Sequence, residues 1–171
     1  MIIATAMIAI RQNEAPPPLG LLVAGARRSI KQAVTKQLLG RRLSHQQFWL
    51  LVALHERPGL SLRQLAERHH MDSPTASRIL DLLARRGLVR MEDDPEDRRR
   101  RSIRLTPRGT SLAREIHPLA LRTREAVQAG FSESEKRALR ALLQRIIANM
   151  RRFERDGKDR SGGRRPPGRA L

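Results

Sequence analysis

Apolar positions recur at helical spacing through most of the chain. Leu19, Leu22, Ala26, Ile30, Ala33 and Leu38 share one face of a helix from about Leu19 to Leu39, with Gly40 as its C-terminal cap. A second helix opens at Ser44, where the hydroxyl can cap the turn while Gln47 reaches back, and it ends before Pro58-Gly59. Ser61 with Gln64 repeats that capping box and opens "LRQLAERHH". Ser73-Pro74 puts a capping hydroxyl before a proline, so "SPTASRILDLLARRG" starts sharply and stops at Gly87. Thr106-Pro107 does the same for a long helix through His117 and Val127, which Pro118 should kink. Ser132 with Glu135 caps a last helix, striped by Leu139, Leu142, Leu143, Ile146, Ile147 and Met150.

Strand spacing appears in one stretch. "LVRME", Leu88 to Glu92, alternates apolar and charged residues, and "RSIRL" places Ile103 and Leu105 on one face. The segment "DDPEDRRR" between them is too polar to bury and suits the loop of a two-stranded ribbon. Four helices, a hairpin and two further helices predict a mainly α fold: a winged helix-turn-helix of six helices plus a two-stranded β wing. Residues 1–18, ending in "APPPL", read as a flexible arm, and residues 156–171 as a basic tail too poor in apolar residues to fold.

Charge narrows the partner. The net charge of +18 points to a polyanion, nucleic acid first. Residues 60–106 hold only a small part of that excess, with eleven basic residues against eight acidic. The region 19–43 carries Arg27, Arg28, Lys31, Lys36, Arg41 and Arg42 with no acid. No cysteine is present, which excludes disulfides, thiolate metal sites and thiol catalysis. The apolar start "MIIATAMIAI" is short of the roughly 20 residues that span a bilayer and lacks a basic leader, so no membrane is expected and a cytoplasmic location is.

Two short helices joined through His70-Met71-Asp72 fit a helix-turn-helix locked by Leu65, Ala66, Ile79, Leu82 and Leu83. The second helix would present Ser73, Thr75, Ser77 and Arg78 near its exposed start. Small hydroxyl residues allow close approach to the major groove, and Arg78 can reach guanine acceptors or a phosphate.

The ordered set "LAERHHMDSPTASRILDLLARRGLV", "DPEDRRRRSIRLTPRG" and "FSESEKRALRALL" resembles the multiple antibiotic resistance regulator (MarR) family of dimeric winged-helix transcription regulators, over about Leu19 to Phe153. In that family the wing carries Asp-x-Arg, its arginine seven residues before the threonine of "LT", which here gives Arg99 with Asp97 two before it. The resemblance implies that Arg99 enters the minor groove and that Asp97 orients it; Asp97 as a solubilising charge is the other reading. Arg98, Arg100 and Arg101 divide between phosphate and water, since strand alternation does not turn them all one way.

The resemblance also implies a homodimer joined through helices within 19–43 and 107–155, around a DNA-binding part at 60–106, all within one domain at 19–155. Such a dimer would meet a pseudo-palindromic site on double-stranded DNA. Pairing of the two apolar stripes inside one chain would give a monomer instead. By the same resemblance, a crevice between the dimer helices and the winged part would take a small anionic aromatic effector, with Arg27, His45, Trp49, Ala53 and Arg122 as candidate lining; Trp49 as core filler is the other reading.

The five histidines show no metal-ligand spacing, and no triad, phosphate loop or cofactor fingerprint appears, so no metal, cofactor or enzymatic activity is expected. The expected function is a sequence-specific DNA-binding regulator, a repressor. The alternative is a non-specific architectural DNA protein driven by charge.

Overall fold

The computed structural model describes residues 16–93 and 101–162. Those residues form two compact units, one ending at Val127 and one beginning at Gln128.

The first unit holds α1 (Leu19–Gln37), α2 (His45–Glu56), β1 (Leu60–Ser61), α3 (Leu62–Arg68), α4 (Ser73–Arg85), β2 (Val89–Asp93), β3 (Arg101–Leu105) and α5 (Pro107–Gln128). Helix α2 lies at its centre, with Phe48 and Leu50 through Leu54 all buried. Around them pack Val34 and Leu38 from the end of α1, Leu65 of α3, Ile79, Leu80 and Leu83 of α4, Val89 and Ile103 of the sheet, and Ile116 and Ala120 of α5. This single apolar cluster ties the two helices α3 and α4 and the sheet to α1, α2 and α5.

Both expected capping boxes form. Gln47 N–H donates to Ser44 Oγ at 3.2 Å and Ser44 N–H to Gln47 Oε1 at 3.0 Å, and Ser61 and Gln64 repeat the exchange. The cap of α4 differs from expectation. Asp72 is the N-cap and Ser73 the first helical residue, because the Asp72 carboxylate takes the Thr75 N–H. A carboxylate there also complements the positive end of the helix, which a hydroxyl does not.

Leu82 is corrected as well. It is 46% exposed, while Ala76 and Leu80 are buried with Ile79 and Leu83. Those four lie on one side of the helix, and Leu82 lies about 100° per residue away from each neighbour in sequence.

The ribbon is joined by a third strand. β1 pairs with β3 (Leu60↔Ile103, Ser61↔Ser102), giving the order β1-β3-β2, all antiparallel. Two residues are too few to show alternation, and Ser61 already serves as a cap, so this strand had no pattern of its own. β2 and β3 pair out to Asp93↔Arg101. Helix α5 runs through Pro118 without ending.

Two glycines hold the junction of α4, the ribbon and α5. Gly87 takes φ +66° to end α4, a conformation side chains resist. A Cβ on Gly109 would lie 1.8 Å from the Leu88 carbonyl oxygen, so α5 begins against backbone that only glycine can approach.

The second unit is α6 (Glu133–Gly162), opened by Ser132, whose hydroxyl accepts the Glu135 N–H while Glu135 takes the Ser132 N–H. The helix enters the segment expected to be a tail, for no proline interrupts 133–162 and each added residue adds a hydrogen bond. The rest of that segment, 163–171, lies outside the described residues, as do residues 1–15 of the expected arm. No helix among the described residues is long and apolar enough to cross a membrane.

Candidate nucleic-acid interface

Helix α4 buries one side and leaves the other open. Pro74, Arg78, Asp81, Leu82 and Arg85 are exposed at spacings of three and four, forming one solvent-facing stripe. Of the residues singled out in the sequence, Ser73 and Arg78 are exposed, and Thr75 and Ser77 are half-buried. Arg78 Nη2 donates to Thr75 Oγ1 at 3.3 Å, so Thr75 steers the guanidinium. Hydrogen bonding from the Thr75 backbone holds the Asp72 carboxyl below its ordinary range.

The base of the ribbon is an arginine pair bridged by one carboxylate. Arg90 and Arg104 face each other across β2 and β3, and Glu92 accepts from both, at 2.8 Å from each Nε. Without Glu92 the two like charges would repel across the strands. The sequence reading missed this use of Glu92; the alternation of "LVRME" with "RSIRL" carried the signal. The residues nominated for the tip, Asp97, Arg98, Arg99 and Arg100, lie outside the described residues.

Thr106 links the ribbon to both helices. Its hydroxyl donates to the Gly87 carbonyl at 2.6 Å and accepts the Gly109 N–H at 3.0 Å, and its own N–H donates to the Leu88 carbonyl at 3.1 Å. Thr106 thereby ties the end of α4, the ribbon and the start of α5 to one another. Beside this junction lies an open groove of about 510 Å³, lined by Arg90, Leu105, Pro107, Thr110, Ser111 and Arg114.

The residues proposed for an effector crevice are only partly gathered. Trp49 Nε1 donates to His45 Nε2 at 3.1 Å, and burial, with Lys31 and Arg27 nearby, lowers the His45 pKa. Ala53 is buried in the core and Arg122 is exposed. The arginine over the Trp49 ring is Arg124, 5.8 Å from its centroid, and it also forks onto Glu56. Two positions along α5 separate Arg122 from the arginine that meets Trp49, and composition does not distinguish them. Among the described residues no group of three or more His, Asp or Glu side chains is placed to hold a metal ion.

A capped helix with an open polar stripe, preceded by a short helix and followed by an antiparallel ribbon, defines the class: a winged helix-turn-helix protein. Residues 43–100 match the model of the MarR family. It is 29% identical over 114 residues to the HTH-type transcriptional regulator YybA of Bacillus subtilis, covering 64% of this chain and 73% of that one. It is 34% identical over 99 residues to the HTH-type transcriptional repressor YetL of the same organism, covering 57% of this chain and 59% of that relative, under two thirds of its length. Among solved structures, BpsR of Bordetella bronchiseptica, whose DNA binding is regulated by 6-hydroxynicotinic acid, is 26% identical with a TM-score of 0.62, over 75% of this chain and 98% of that one. S. aureus MepR in complex with DNA shares the fold, with a TM-score of 0.67 at 23% identity over 79% of this chain and 99% of that one.

Proposed function

We propose that this protein is a homodimeric transcriptional repressor that binds duplex DNA sequence-specifically at a pseudo-palindromic operator. The observation that carries the reading is the open stripe of α4, with Arg78 steered by Thr75, joined through Thr106 to a ribbon whose basal arginines are held by Glu92. Helix α4 would enter the major groove while Arg99 enters the adjacent minor groove, positioned by Asp97. Apolar side chains left open on α1 (Leu19, Leu22) and on α6 (Leu142, Met150, Phe153) support a second copy as their cover, with half-sites roughly 10 base pairs apart. The regulation of BpsR by an aromatic acid, together with Trp49, His45 and Arg124 here, supports release by a small anionic aromatic ligand.

Gel-shift titration tests the reading. The protein should enrich particular sequences from a random duplex pool and bind them far more tightly than bulk duplex at moderate salt. Equal affinity for every duplex would replace this reading with that of an architectural DNA protein.

A further inference from the structure

Glu56 is the last residue of α2, where a carboxylate faces the negative end of its own helix, an unfavourable place for it. What holds it there is three basic side chains from two other elements. Arg124 of α5 forks onto it, Nη1 on Oε1 and Nη2 on Oε2 at 3.0 Å, and His117, one α5 position after Ile116, brings Nε2 to 3.3 Å from Oε1. Arg68, the last residue of α3, brings Nη2 to 3.7 Å from Oε2. The Glu56 side chain is only 20% exposed, so the cluster is screened less than a surface pair. One carboxylate thus joins the central helix, the first helix of the helix-turn-helix and the far half of α5.

The place of the cluster along α5 matters more than its strength. The start of α5 is held to the end of α4 and the ribbon by Thr106 and Gly109. The core holds it through Ala120, and no residue of α5 beyond Ala120 is buried. Arg124 is the hold beyond that point, roughly 25 Å of helix from Thr106 at 1.5 Å per residue. The junction and the core fix α5 as far as Ala120, and the Arg124 fork onto Glu56 fixes the direction of the stretch beyond it.

We infer that Glu56 is a positioning residue that sets the angle between the winged helix-turn-helix (α3, α4 and the ribbon) and the far half of α5, and through it the spacing of half-sites the dimer accepts. The inference rests on the dimeric DNA-binding reading above. Glu56→Gln keeps the shape and removes the charge, and Arg124→Gln removes the far partner while leaving Glu56 with His117 and Arg68.

The test takes a duplex enriched by the wild-type protein from a random pool and varies the distance between its half-sites one base pair at a time, alongside thermal unfolding of each variant. Wild-type protein should favour one spacing by at least about fivefold. Both variants should fold, lose at least about fivefold at that spacing, and bind the neighbouring spacings nearly as well as the best one. A wild-type spacing preference retained in both variants overturns the inference, and so does a loss equal at every spacing that follows a fall in melting temperature. A wild-type protein that enriches no sequence overturns the DNA-binding reading, and the role of Glu56 in it.

Discussion

The carboxylate of Asp72 accepts the backbone N–H of Thr75 at 2.6 Å, which closes the first turn of the helix proposed to read DNA. Asp72→Ala should lower the melting temperature and loosen DNA binding, because the first-turn N–H loses its partner and the helix its N-terminal negative charge. Asp72→Asn, which keeps an acceptor, should recover most of the stability. Thermal unfolding by circular dichroism, with a gel shift on each variant, checks both; equal melting temperatures for the wild type and the alanine variant would remove the cap from the account of α4.

Gly109→Ala should destabilise the fold by at least about 2 kcal/mol, since the new methyl meets the Leu88 backbone and no flexible side chain can yield. Urea unfolding measures it. A loss under about 0.5 kcal/mol, the ordinary size for a surface change, would mean that the junction of α5 with Leu88 gives way easily.

Acid should weaken the fold through His69, whose Nε2 is buried with no hydrogen-bond partner among the described residues. Burial first, then the neighbouring Arg68 and His70, lowers its pKa from 6.5 to about 4. The unfolded chain therefore takes up the proton first as pH falls. The stability from a neutral buried His69 is complete above about 6.5 and drains away as pH drops toward about 4. Denaturant titrations across that window should show the decline, and His69→Gln should flatten it; an unchanged slope in the variant would assign the acid sensitivity elsewhere.

Arg99→Ala should cost at least about 1 kcal/mol of operator binding while leaving the dimer folded. Binding isotherms and sedimentation together test this. Unchanged affinity would move the minor-groove role to Arg98 or Arg100.

Arg78→Ala should cost about 1–3 kcal/mol and relax base preference at one position of each half-site. Selection from randomised operators reads that preference. A loss uniform over all sequences would show that Arg78 holds a phosphate.

Local chemistry explains how much of the fold was legible. Ser44 with Gln47, Ser61 with Gln64 and Ser132 with Glu135 mark helix starts because both partners lie within four residues, so no distant contact is needed to satisfy them. The ribbon was legible because Val89, Ile103 and Leu105 alternate with charged or polar neighbours. By sequence alone, then, the chain determines six helices, their order, and the ribbon between the fourth and fifth.

Tertiary structure decided the choices between neighbours. Leu80 rather than Leu82 enters the core, and Arg124 rather than Arg122 meets Trp49 and Glu56. Each pair differs by two residues, a step that composition does not register but that turns a side chain by about 200° about a helix. Helical periodicity specifies a face only to about that precision. Packing against a second element, remote in sequence, selects the residue on that face which makes the contact.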